Sequence, residues 1–503
     1  IRFPRLKNVL TDQRGVSRLE KTCMGAYEIG CGSDTTFSTD TINVGTKIYG
    51  QTFTKVGVHD SIFETLKDAR GCDSVVMYRV VVKPDPTTFN YYVKMDKEGR
   101  GDGSDWDNAM DSTDFATYLP LAPDGATFYV AAGTYKPKFD KNLSPCKNPL
   151  ACYTINSDVT ILGGFPENAT LKENPSSDPF KNITRFSGDL FGNDEFIYQN
   201  EEPGAKLLNI KNQEENVTSI FILTSPSEVK FNGIFISESP FVHGAINSSE
   251  IVSLTIENSC FEKNDGHIVV LTNPSELGKF TINNCKLVSN GVRSGGGTGV
   301  IFDMSCPIDA KKLTLKGNRL YSIFKSTKSL TADSIEIEDC VAEYGFLGNS
   351  SEENAELKHW IVKENKIRYF SMNVSNLTID SSSFVSDSVS YFTANAKSLK
   401  ISNSEIDSNH VEYDMYSGVN NLELYSTELK ENHASRFFIG SGSTLSIDKC
   451  VFYSNDYDNY MGSSILNATI QNSSFIRNVS SSSTEAFLSI DKLALTNNTF
   501  ANN

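Results

Sequence analysis

From residue 377 onward one pattern returns every 22 to 25 residues: an aliphatic, any residue, a second aliphatic, four variable positions, an apolar residue, and three later Asn or Asp. The copies are anchored at Leu377/Ile379/Phe384/Asp387, Leu399/Ile401/Ile406/Asn409, Leu422/Leu424/Leu429/Asn432, Leu445/Ile447/Phe452/Asn455, Ala468/Ile470/Phe475/Asn478 and Leu493/Leu495/Phe500/Asn503. Earlier copies stand at Leu254/Ile256/Phe261/Asn264 and Phe280/Ile282/Leu287/Asn290, and the pattern thins out upstream through Val229/Phe231/Ile236 and residues 159–165. Between Leu313 and Trp360 the spacing is uneven, which predicts loops inserted between copies.

Each copy holds one period-2 alternation, a polar break and a second apolar residue. Such a unit cannot bury its apolar face alone, so copies must stack. None shows helical spacing, and β-branched and aromatic residues abound. The fold this predicts is all-β: a right-handed parallel β-helix, with equivalent residues in ladders along the axis. The recurrent Asn suits a turn, where its side chain bonds backbone and tolerates left-handed dihedrals. A leucine-rich repeat would need a fixed Leu-x-x-Leu-x-Leu-x-x-Asn block, which does not recur.

Composition narrows the partners. The 503 residues carry a formal net charge of -16 with no Lys/Arg-rich cluster, which argues against nucleic acid. No unbroken apolar run reaches about 18 residues, so no membrane span is expected. The ten cysteines include no Cys-x-x-Cys pair. Cys146 and Cys152, in CKNPLAC, read as a local disulfide or as two buried thiols. Twelve Asn-x-Ser/Thr sites are candidate glycan acceptors: Asn142, Asn168, Asn182, Asn216, Asn247, Asn349, Asn373, Asn376, Asn467, Asn472, Asn478 and Asn497. They fit an exported protein.

Three segments add a resemblance. YYVKMDKEGRGDGSDWDNAMDS (91–112), GATFYVAAGTYKP (125–137) and VTILGGF (159–165) together resemble the opening of secreted β-helix proteins of the pectin-lyase-like and polymorphic outer membrane protein-like groups. ARGCDSVVMYRVVV (69–82) is similar to the end of a small β-domain of bacterial surface proteins, bracketed by two cysteines. That resemblance implies a Cys31–Cys72 pair. TDQRGVSRLEKTCMGAYE (11–28) resembles the closing turn of such a β-helix. The implied layout is a closing segment (1–28), a small antiparallel, sandwich-like β-domain (29–83) and the β-helix (84–503). Either the chain is a slice of a longer array, or residues 1–28 complete the open end of a neighbour and the protein self-associates head to tail.

A pectin-lyase-like fold directs attention to clustered carboxylates with a cation. The densest acidic run, Asp333, Glu336, Glu338 and Asp339, shows no Lys or Arg at a ladder position and reads as a solvated strand face. His410 and His433, 23 residues apart, predict stacked rings at an exposed corner rather than a metal site. Arg100-Gly101-Asp102 spells a cell-attachment tripeptide inside the opening motif, and Asp102, Asp105 and Asp107 lack the spacing of a calcium loop. Gly295 to Gly299 read as a coil corner. No catalytic residue, cofactor or metal ligand is assigned. The expectation is a non-enzymatic extracellular or cell-surface rod, structural or adhesive, with self-association and a cell-surface or glycan ligand as its partners. The competing reading is a polysaccharide lyase or glycan-binding β-helix. A groove with three or more convergent carboxylates and a cation would favour the enzyme.

Overall fold

The computed structural model describes residues 34–503 apart from 68–72, 138–151, 201–205, 225–227, 240–243, 249–252, 273–277, 292–299, 305, 326–327, 349–353 and 482–487. The chain divides into two compact units, Ile1–Thr87 and Thr88–Asn503. The closing segment 1–28, Cys31, Cys72 and Cys146 lie outside the described residues.

In the first unit Asp73–Lys83 is the central strand, antiparallel to Gly57–Lys67 and parallel to Asp34–Asn43. The sequence suggested antiparallel strands throughout. One pairing is parallel because the last strand inserts between the first two, which run in opposite directions. Phe53, Val80 and Val82 form its small core with Ile42, Ile48 and Ile62.

The second unit is a parallel β-helix whose repeat anchors are direct partners in the ladders. Leu377, Leu399, Leu422, Leu445, Ala468 and Leu493 follow one another in register, and so do Phe384, Ile406, Leu429, Phe452, Phe475 and Phe500. All of these but Leu493 and Phe500 belong to one continuous apolar interior.

Two expectations need correction. First, the described strands of the uneven stretch keep the repeat. Ile308/Ala310/Leu315/Asn318, Leu330/Ala332/Ile337/Cys340 and Ala355/Leu357/Val362/Asn365 are ordinary coils in register with their neighbours. Their alanines and Cys340 hide the pattern from a reading that seeks aliphatics and Asn. Second, the recurrent Asn does not take the left-handed dihedral. The residue before it does, as at Lys263 (φ 55°), Ser408 (φ 55°) and Glu431 (φ 50°).

The Asn side chain turns inward instead. Asn409 donates from its backbone N–H (3.1 Å) and its Nδ2 (3.0 Å) to Oδ1 of Asn432, and from Nδ2 to the Phe384 carbonyl (2.9 Å). Asn432, Asn455 and Asn478 repeat this, each to the next rung. Upstream, Asn264, Asn290 and Asn318 do the same, with Cys340 and Asp387 standing in at two rungs. At the other corner Ser382, Ser404, Thr427, Cys450 and Ser473 form a second buried ladder, each donating to the carbonyl two residues back. A small residue with one donor fits that place, which accounts for Cys285 and Cys450 as thiols in the same ladder.

The opening motif closes one end of the interior. Asp111 caps the helix Ser112–Tyr118 by accepting from the Thr113 and Asp114 N–H groups. Phe115 then packs 5.2 Å from Phe128 and 5.4 Å from Tyr153, over the mouth of the first coils. At the other end Leu493, Leu495 and Phe500 hold core positions yet are 44%, 49% and 45% exposed.

Candidate functional site

Strands Arg319–Lys325, Val341–Gly348, Lys366–Met372, Ser388–Ala394 and His410–Ser417 lie side by side on one face. Ile367, Val389 and Val411 are buried. The period-2 alternation then breaks, so that the residue two places on stands outward and the next, as at Phe370 and Phe392, is buried; this sets five tyrosines in a row. Ring centroids are 4.9 Å apart for Tyr321–Tyr344, 5.6 Å for Tyr344–Tyr369, 5.3 Å for Tyr369–Tyr391 and 5.1 Å for Tyr391–Tyr413. Where a strand bulges, the register of backbone and rings parts company. Tyr391 pairs through its backbone with Asp414, while its ring stacks on that of Tyr413. Three of the four pairs are stacked and Tyr344–Tyr369 is tilted by 58°; where rings stack they cover one another's faces and offer edges and hydroxyls to solvent.

Beside the last three rings of this row lies a groove of about 880 Å³, lined by Arg319, Lys366, Arg368, Tyr369, Ser390, Tyr391, His410, Glu412 and Tyr413, among others. Among the described lining residues three cations, Arg319, Lys366 and Arg368, face one carboxylate, Glu412. That is a local positive excess on a chain of net charge -16. The Arg368 guanidinium lies 5.5 Å from the centroid of the Tyr369 ring. Ser390 donates to Glu412 Oε2 at 2.9 Å, and Glu412 in turn holds the Tyr413 phenol above its ordinary range by hydrogen bonding and charge. Burial raises the Tyr391 phenol, with Asp414 adding to it. Asp414, which is buried, takes a two-pronged bond from Arg436 at 2.7 and 3.1 Å and so is neutralised in place.

The residues singled out in the sequence are placed as follows. Glu338 sits in register between Lys316 and Lys363, bonded at 2.9 Å and 3.5 Å, so the acidic run does have ladder cations, contrary to expectation. Asp333 accepts from His359 at 2.7 Å if the ring carries the proton there. His410 and His433 stack at 5.0 Å and 6°, and Asp456 follows in register 3.4 Å from His433 Nδ1. Arg100 and Asp102 bond each other at 2.8 Å across Gly101, whose φ of +63° tightens the turn. Asp105 caps Asn108, and Asp107 accepts from the Leu171 N–H.

Asn142 and Asn349 lie outside the described residues. Asn168, Asn376, Asn467, Asn472 and Asn497 are exposed, and Asn182, Asn247 and Asn373 half-buried. Asn216 is half-buried with its Nδ2 donating to Asp194 (2.9 Å), and Asn478 is buried within the asparagine ladder. Cys152 is a free thiol 3.6 Å from Thr154 Oγ1, and its expected partner Cys146 is not among the described residues.

The tyrosine row escaped the sequence reading. Its signal is there: positions 321, 344, 369, 391 and 413 are 23, 25, 22 and 22 residues apart, the period of the core repeat itself. A search for repeats confined to apolar anchors passes over an outward ladder with the same period.

No family model and no curated protein sequence matches this chain. Among solved structures it is similar to the family 28 exopolygalacturonase of Yersinia enterocolitica, at 10% identity over 86% of this chain and 82% of that one, with a TM-score of 0.20. So loose a superposition carries nothing about site or substrate, and the fold rests on the strand pairing of this chain. Among the described residues no helix is long and apolar enough to cross a membrane.

Proposed function

We propose that this chain is a non-enzymatic, extracellular adhesive rod that holds an extended acidic polysaccharide along its tyrosine row. The observation that carries the reading is the tyrosine row, with rungs 4.9 to 5.6 Å apart, whose last three rings line a groove with three cations against one carboxylate. That spacing is close to the advance of one pyranose along an extended chain, so each coil meets one sugar. Phenol hydroxyls and ring edges then bond sugar hydroxyls, while Arg319, Lys366 and Arg368 meet carboxylates. A chain immobilised on a rigid surface in this way loses little further freedom per sugar. The reading is tested by passing the protein over immobilised polygalacturonate and over a neutral glucan. Retention on the acidic matrix alone, released by salt, is the expected result; equal passage through both refutes it.

A second reading concerns assembly and is favoured by the exposed core positions Leu493, Leu495 and Phe500. A coil or strand stacked on them would bury their side chains and pair the strand edge. Residues 1–28 of another copy would serve, giving head-to-tail filaments. Electron micrographs of the chain with and without residues 1–28 test this: filaments in the first and single rods in the second are expected, and single rods in both contradict it.

A further inference from the structure

We propose that Asp189, Asp194 and Glu215 form a binding site for a hard divalent cation, calcium by preference, at the root of the hairpin Glu195–Asn200/Lys206–Lys211. One carboxylate oxygen of each lies within 4.8 Å of the others. Asp189 and Glu215 are only 5% and 6% exposed. Asp194 stands immediately before the first hairpin strand and Glu215 shortly after the second, so an ion between them would tie both roots to the coil that carries Asp189.

Clustered acids are common without an ion. Here the hydrogen bonding within the cluster points to one. Asp189 is satisfied, accepting from the N–H groups of Gly192 (2.6 Å), Asn193 (3.3 Å) and Asp194 (3.2 Å). Asp194 Oδ2 accepts from Asn216 Nδ2 at 2.9 Å. Three oxygens remain buried without a hydrogen-bond partner: Asp194 Oδ1, Glu215 Oε1 and Asn216 Oδ1. Orphaned buried oxygens on mutually repelling carboxylates are a costly arrangement that a cation removes at a stroke.

Among the described residues the surroundings do not supply that charge. Glu238, bonded to the Ser187 and Ser237 hydroxyls, adds a fourth carboxylate nearby, and Lys136 at this loop donates to the Leu190 carbonyl at 3.4 Å. Burial, and then the charges of Asp189, Glu238 and Glu215, push Asp194 up to about 7 despite the bond from Asn216. An all-oxygen set of carboxylates and an amide, with neither His nor Cys in it, suits calcium, which accepts irregular geometry more readily than magnesium does.

The test uses the full chain stripped with EDTA. Calorimetric titration with calcium chloride should show one ion per chain, and millimolar calcium should raise Tm by several degrees. Glu215→Gln should abolish both, yet melt at or above the wild type in EDTA because it removes a buried repulsion. Asp194→Asn should behave alike, while Asp333→Asn, on a distant strand, should bind as the wild type. A wild-type melt indifferent to calcium overturns the proposal before any variant is made. Undiminished binding by Glu215→Gln overturns it too, and an equal response to magnesium overturns the preference for calcium.

Discussion

A primary amide buried in a β-helix stabilises it only if every polar atom is met, and the asparagine ladder meets them by making each rung serve the next. Asn432 accepts from the N–H and Nδ2 of Asn409 and donates to the Ile406 carbonyl at 2.7 Å. Asn432→Ala strands all three groups, so urea unfolding should show a loss of about 3 kcal/mol or more. Asp387 occupies a rung where an amide would both accept and donate. It accepts from the N–H (2.8 Å) and Nδ2 (3.0 Å) of Asn365, and burial pushes its carboxyl up to about 7. Its folded pKa thus stands above the unfolded value near 4. Stability from this group is therefore full below about pH 4 and is lost as pH rises through about 7. Asp387→Asn should be the more stable of the two at pH 8, with the gap closing toward pH 4, as read from paired thermal melts. The same ladder decides one glycan site. Expressed through a eukaryotic secretory pathway and mapped by peptide mass spectrometry, Asn376, Asn467 and Asn472 should carry sugar while Asn478, 1% exposed, should not.

At the scale of the strand, what the sequence showed was periodicity, and what it hid was direction. Leu377, Leu399 and Leu422 were recognisable as one ladder because aliphatics at a fixed step must stack. The coils at Ala310, Ala332 and Ala355 were not, since a small residue signals neither face. Lys316 and Lys363 flank Glu338 only once the register of those coils is known. The carboxylates at Asp189, Asp194 and Glu215 are brought together by a hairpin that no local pattern announces. Tyrosines outside the core lie between these cases, periodic but polar enough to be passed over. Replacing Tyr369 and Tyr391 together by Ala should leave the buried anchors Ile367 and Val389 in place. Folding, followed by circular dichroism, should change little, while retention on polygalacturonate falls at least tenfold. Arg368→Gln should weaken retention less, and most at low salt, because an exposed cation acts through a screened field.

Along the described β-helix burial is uneven. Phe115 and its helix cover the first coils, whereas the core positions Leu493, Leu495 and Phe500 of the last described coil are nearly half exposed. Amide exchange should follow this asymmetry in a dilute, unassembled sample, with Leu488–Thr496 exchanging ahead of the equivalent central strand Asn421–Tyr425. The adhesive account rests on the tyrosine row from Tyr321 to Tyr413 and on the groove lined by its last three rings. Its most direct test is a calorimetric titration of the intact chain with a galacturonate oligomer long enough to span the five rungs, the sugar being recovered afterwards for mass analysis. The account predicts saturable binding, lost when Tyr369 and Tyr391 are replaced, with the oligomer returned intact. Absence of binding, or recovery of shortened, unsaturated products, would contradict it.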